Sequence, residues 1–255
     1  NKPMTFDGTD FKTEGFLWYE DINATSTLFA YYPWQEGGDI PAEFSVKADQ
    51  SGDNYTASDL IVAVKTGVKP TLSATQMTFK HKMSRIVIGV TNESGFDITN
   101  IVIKGAVGTG VLDPATGDFT AKADAEASDL IANTATANKV YYALLVPQNG
   151  VKLMVTVTTA DGKKRTQTLG TADFKSGENR RMECNVQPAD IEVKFSGPIT
   201  GWVDGDDLLP DGGGEVETPT VEWGGVKYKI VTLKDGRTWM AENLRYVPEG
   251  KTISN

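Results

Sequence analysis

Residues 151–169 read VKLMVTVTTADGKKRTQTL, and this stretch decides the fold class. Leu153, Val155 and Val157 alternate with Lys152, Met154, Thr156 and Thr158, the period of two that gives a strand one buried and one open face. Asp161-Gly162 then supplies the positive φ that a tight turn demands, and Arg165 to Leu169 returns as the second arm of a hairpin.

The same signature recurs on both sides of the hairpin. Upstream, Thr27 to Tyr32 (TLFAYY) runs into Pro33, Phe44 to Ala48 (FSVKA) alternates, and Arg85 to Thr91 (RIVIGVT) puts Ile86, Ile88 and Val90 on one face. Ile98 to Lys104 comes after the turn Asn92-Glu-Ser-Gly95, and Asp113-Pro-Ala-Thr-Gly117 is a further turn. Downstream, Arg180 to Val186 places Met182, Cys184 and Val186 together, Ile191 to Phe195 alternates Ile, Val and Phe with Glu192 and Lys194, and Ile199 to Trp202 reads as a short final strand. Helical periodicity is scarce throughout, so the expected class is all-β.

At 255 residues the chain exceeds the ~100–200 of one ordinary domain. A boundary is expected near Ser94 to Asp97, giving units 1–97 and 98–204. From Asp204 to Thr218 the composition turns to acidic residues, Gly and Pro with little to bury, which reads as a linker over 205–219. The remaining 35 or so residues, 220–255, carry strand-like Lys227 to Leu233, an Asp235-Gly236 turn and Thr238 to Ala241; such a piece is short for a self-sufficient core.

Charge and composition narrow the function. With 34 acidic against 25 basic residues the surface field repels phosphate backbones and anionic headgroups, so nucleic acid and membrane surfaces are poor partners. One cysteine rules out an intrachain disulfide or a cysteine zinc cluster. No apolar run approaches the ~20 residues of a membrane helix. Asn1 in place of Met is what removal of an export signal would leave.

Catalytic constellations are weakly supplied. His81 is the single histidine, which excludes a His-based triad or a two-histidine metal site; its parity with Phe79 and Met83 favours a structural, hydrogen-bonded ring. Cys184, sharing a face with Met182 and Val186, reads as a small buried hydrophobe. Asp204, Asp206 and Asp207 lack the Gly and Glu positions of a calcium loop and read as a solvated linker, so no metal and no cofactor are expected. Trp18, Tyr31, Tyr32 and Trp34 offer flat aromatic faces that could stack on sugar rings, against the commoner use of strand-end aromatics in packing. The sequons at Asn23, Asn54 and Asn92 are of a length that arises readily by chance.

Several motifs together carry a family resemblance. Leu28-Phe-Ala-Tyr-Tyr-Pro33, Asp59-Leu60 and Phe79-Lys-His-Lys-Met-Ser-Arg-Ile86, then Ile98-Thr-Asn-Ile101, Leu144-Leu-Val-Pro-Gln148, Phe174-Lys-Ser-Gly177 and Ile199-Thr-Gly-Trp202, resemble the Bacteroidetes fimbrillin (Mfa-like) family in order across residues 1–204. Thr238-Trp-Met-Ala-Glu-Asn-Leu244 is similar to the start of the Fibrobacter major paralogous domain. The resemblance implies two tandem transthyretin-like β-sandwiches in a non-enzymatic, adhesive pilus subunit. It also implies export as a lipoprotein precursor to the outer membrane, and association with other pilus subunits by donor-strand exchange after a protease removes the first strand. The lipid-bearing cysteine of such precursors is lacking, and little strand-like sequence precedes Phe16. The module after the last strand implies a tip or accessory position, since a terminal strand that must enter a neighbour is hindered by a bulky module attached behind it. A monomeric surface lipoprotein that binds glycans through Trp18, Tyr31, Tyr32 and Trp34 is the alternative expectation.

Overall fold

The computed structural model describes residues 3–6, 11–13, 21, 23–34, 40–71, 73–201, 220–223, 226–232 and 238–240. Up to residue 210 the chain is one compact unit, and residues 211–255 make a second. In chain order the first unit begins with β1 (Thr5–Phe6), β2 (Phe11–Lys12), β3 (Ser26–Tyr32), β4 (Glu43–Ser45), the short helix α1 (Asp53–Ala57), β5 (Ile61–Val68), β6 (Lys80–His81) and β7 (Ser84–Asn92). It continues with β8 (Ile98–Val107), β9 (Thr109–Leu112), β10 (Phe119–Ala121), β11 (Ala127–Ile131), β12 (Asn133–Thr136) and β13 (Val140–Leu145). The last strands of this unit are β14 (Gln148–Thr159), β15 (Lys164–Phe174), β16 (Glu178–Val186) and β17 (Ile191–Gly201). The second unit holds β18 (Thr220–Trp223), β19 (Val226–Thr232) and β20 (Thr238–Met240) in one antiparallel meander.

The expected hairpin forms as β14 and β15, with Thr156 opposite Thr166 and Val157 opposite Arg165. Gly162 takes φ +78° at its tip, and the Asp161 carboxylate accepts from the Thr159 hydroxyl at 2.6 Å and the Lys163 amide at 3.3 Å. Those bonds, the Thr159 hydroxyl first, hold the Asp161 carboxyl below its ordinary range. Leu153, Val155 and Val157 are fully buried, each stabilising by roughly 1.5–3 kcal/mol relative to an exposed side chain.

Two sheets enclose that core. One has the order β11-β8-β14-β15, the other β12-β13-β7-β16-β17, with β7 and β16 parallel and the remaining neighbours antiparallel. Ile101, Ile103, Leu153 and Val155 from the first meet Ile86, Ile88, Met182 and Cys184 from the second in one apolar cluster. The all-β sandwich expected from sequence is thus the fold.

Strand pairing does not respect the boundary expected near residue 97. β7 lies before it, yet pairs with β13 and β16 in the middle of the five-stranded sheet; β4 likewise pairs with β9, Phe44 opposite Gly110. The turn Asn92 to Gly95 leads from one sheet of the sandwich to the other, and a polar turn of that kind looks the same in sequence whether it joins domains or layers. Ile199 to Gly201 also differs from expectation, continuing β17 beyond an irregularity between Ser196 and Thr200 that contains Pro198, where a residue without an N–H is tolerated on an edge strand. The linker expected at 205–219 lies outside the described residues.

Residues 48–60 cover the outer face of the five-stranded sheet. Tyr55 of α1 sits 6.2 Å from the ring of Tyr142, beside the buried Arg85, whose Nε donates to Asn179 Oδ1 at 2.6 Å. Burial pushes the Tyr55 phenol up, against the opposing pull of Arg85. This covering layer explains why Arg85, Val87 and Gly89, on the face of β7 turned from the core, are buried.

Candidate assembly interface

In an all-β protein the chemistry available to partners lies at strand edges, where backbone donors and acceptors look for a second strand. Three glutamines meet that demand within the chain itself. The Gln50 side chain, fully buried, donates Nε2 to the Leu144 carbonyl at 2.8 Å and accepts the Leu144 amide on Oε1 at 2.7 Å. Gln148 treats Val107 the same way, accepting its amide at 3.0 Å and donating to its carbonyl at 3.1 Å, with a further bond to the Val146 carbonyl at 2.8 Å. Gln167 accepts the Val193 amide at 2.6 Å and donates to the Val193 carbonyl at 2.9 Å. A primary amide carries one donor and one acceptor group at the spacing of a peptide unit, so each glutamine stands in for a strand.

Gln50 and Gln167 close the two open sides of the sandwich, while Gln148 bonds from β14 to the neighbouring β8 within the four-stranded sheet. On one side the chain passes from β11 to β12 through Ala132, and residues 48–50 lie parallel to Ile131, bonded by Ile131 N–H to Ala48 O at 2.7 Å and Gln50 N–H to Ile131 O at 3.0 Å. On the other, Gln167 and Arg165 point inward from edge strand β15 and reach edge strand β17 and its approach, Arg165 donating to the Pro188 carbonyl at 2.8 Å and the Thr159 hydroxyl at 2.7 Å. Inward-pointing polar residues on an edge strand are a recognised guard against strand addition. Nothing in the sequence marks these amides as strand partners: Gln148 stands only within the motif Leu144-Leu-Val-Pro-Gln148, and Gln167 is legible only as an amide at the inward parity of RTQTL, between Arg165 and Leu169.

The aromatics proposed for ligand contact are divided. Tyr32 and Trp34 are 47% and 48% exposed, at the end of β3 and just beyond it, flanking the cis Tyr32–Pro33 peptide. Tyr31 is half-buried, packed on the core and 6.1 Å from Phe29. Trp18 lies outside the described residues.

The remaining candidates fall to structural roles. His81 Nδ1 lies 2.9 Å and 3.0 Å from the two Asp59 oxygens, each residue under one-fifth exposed, so the ring is a hydrogen-bonded bridge between β6 and the start of β5. The Cys184 thiol is fully buried and burial pushes its pKa up to about 12, which leaves no reactive thiolate at neutral pH. Among the described residues there is no group of three metal-ligating side chains, and Asp204, Asp206 and Asp207 lie outside them. No helix among them is long and apolar enough to cross a membrane. A depression of about 400 Å³ beside the exposed Phe96 is lined by Asn92, Asp97, Asn138 and Lys139. Its amides are used internally: Asn138 accepts from the Ile98 amide at 2.6 Å and donates to Asp97 at 2.9 Å, and Asn92 ties Ser94 and the Phe96 carbonyl.

The architecture recurs in solved structures from Bacteroides species. A candidate cell adhesion protein from Bacteroides ovatus has the same fold, with a TM-score of 0.61 at 21% identity over 77% of this chain and 76% of that one. A second, from Bacteroides uniformis, has a TM-score of 0.60 at 18% identity over 76% and 80%. A fimbrial protein from Bacteroides vulgatus is similar at 16% identity over 80% and 85%, with a TM-score of 0.48. No curated protein matches the sequence. The profile of the fimbrillin-like family matches residues 1–202, and the chain belongs to that family. Membership supports a fimbrial, cell-surface subunit that associates with other pilus subunits, structural and not enzymatic.

Proposed function

We propose that the chain is a tip or accessory subunit of a surface pilus, joined to its neighbours by donor-strand exchange. The observation that carries the position is that β17, the last strand of the family-matched region, is succeeded by a second compact unit over residues 211–255. A strand that has to leave its own sheet and thread into a neighbour is hindered by a folded unit attached behind it, whereas a subunit that only accepts a strand is not. The strand Thr238–Met240 falls within the stretch similar to the Fibrobacter major paralogous domain, and that appended module is read as the part displayed outward. Export as a lipoprotein precursor to the outer membrane, with protease trimming before assembly, belongs to the same reading. Immunogold labelling of filaments on the producing cell tests it. Gold at one end of each filament is the expected result; gold along the whole shaft overturns the tip position, and unlabelled filaments overturn the pilus reading.

Exposed Tyr32 and Trp34 favour a second reading, a monomeric surface lipoprotein that binds glycans through flat aromatic faces. A glycan array run on the full chain and on the Tyr32→Ala/Trp34→Ala variant separates the two. Hits that vanish in the variant favour this reading, and an empty array removes it.

A further inference from the structure

Strand β17 carries an unused symmetry. Gln167 takes both backbone groups of Val193, so those groups face away from β16, and Cys184 opposite Val193 is a non-hydrogen-bonded pair of the ladder. Ile191 and Phe195 share that parity and turn their backbone the same way, while the side chains of Glu192 and Lys194 project, exposed, from the outer face of the sheet.

An antiparallel copy of β17 laid against this edge with Val193 opposite Val193 would make a two-fold ladder. Ile191 would face Phe195 and Phe195 face Ile191, giving three directly opposed pairs and about six backbone hydrogen bonds. In the same register each Glu192 meets the Lys194 of the other copy, an opposite-charge pair at both flanks; such cross-strand pairs contribute roughly 0.2–1 kcal/mol each. The irregularity containing Pro198 ends the ladder on the far side. The strand is therefore self-complementary in backbone polarity, in register and in charge, as an isologous interface requires. What stands in its place is the Gln167 amide, held by an edge strand of the opposite sheet.

We propose that Gln167 is a latch on this edge: while its amide occupies Val193 the chain does not pair through β17, and when it is removed a second copy of the chain takes its place. The inference is independent of the pilus reading, because it concerns the outer edge of β17 and needs no strand to leave its sheet.

The test compares the full chain with Gln167→Ala and with Gln167→Met, which keeps the side chain's length but cannot bond the backbone. Sedimentation equilibrium should show dimerisation at least ~10-fold tighter in both variants than in the wild type. Adding Lys194→Glu, which sets Glu against Glu192 across the two-fold, should return the dimer to the wild-type constant. Variants that stay folded and as monomeric as the wild type overturn the latch. Dimers indifferent to Lys194→Glu overturn the β17 register. Hydrogen exchange in the wild type gives a reading that does not depend on how the variants fold: a Val193 amide protected like interior ladder amides supports the latch, and one that exchanges as fast as solvent-facing edge amides refutes it.

Discussion

Replacing Gln50 with alanine would strip the two bonds that its amide makes to Leu144, 2.7 Å and 2.8 Å long, in a place where both residues are fully buried. The Leu144 N–H and C=O would then face a void, and an unmade buried hydrogen bond costs about 1–3 kcal/mol per group. A water molecule entering the vacated space recovers part of this, so the expected loss is about 2–4 kcal/mol. For a unit of this size that lowers Tm by about 4–16 °C. Urea unfolding monitored by tryptophan fluorescence reads it as a fall in midpoint at unchanged slope.

Gln50→Glu sharpens the same reasoning. A protonated carboxyl has one donor and one acceptor and reproduces the amide's two bonds, whereas a carboxylate turns a lone pair toward the Leu144 carbonyl. Burial and that carbonyl raise the folded-state pKa above the ~4.3 of an unfolded glutamate. The variant's stability relative to wild type is therefore fully present below ~4.3 and is lost at up to ~1.4 kcal/mol per pH unit as pH rises toward the raised folded value, then stays level. A Gln50→Ala variant within ~0.5 kcal/mol of wild type would refute the strand-mimic role. So would a Gln50→Glu gap that is flat from pH 4 to pH 7.

Two glycines separate backbone necessity from open space. At Gly105, φ is +97° and an added Cβ would lie 2.6 Å from the Lys152 carbonyl oxygen, so Gly105→Ala should cost ~2 kcal/mol or more, while Gly170→Ala, with nothing within 4 Å and an ordinary φ, should stay within ~0.5 kcal/mol in the same urea titration. Buried Cys184, its thiol raised to about 12, should resist a disulfide reagent at pH 8 in the folded chain and react stoichiometrically in urea; fast reaction in the native state would contradict the burial.

Much of this was legible in the residues. The period of two in Val151 to Val157, the Asp161-Gly162 turn and the ordered motifs from Leu28 to Trp202 sufficed for an all-β member of the fimbrillin-like family. They also gave the inward faces of β14 and β16, because whether a side chain points in or out is a local property that the alternation records. The structural part of His81 was legible too, from its parity and the lack of a second histidine, though nothing in the sequence pairs it with Asp59.

Which strand lies beside which was decided only in three dimensions. β7 pairs in parallel with β16, nearly a hundred positions later, through backbone groups that are the same for every residue and leave no trace in side-chain pattern. For that reason the break at residue 97 could not be told from a passage between layers. The glutamines show the limit most plainly. As sequence Gln50, Gln148 and Gln167 are polar residues near turns or on a strand. Only folding brings each amide to a peptide group that no strand reaches, and the cost of leaving that group unpaired inside the protein makes those three side chains part of the sheets.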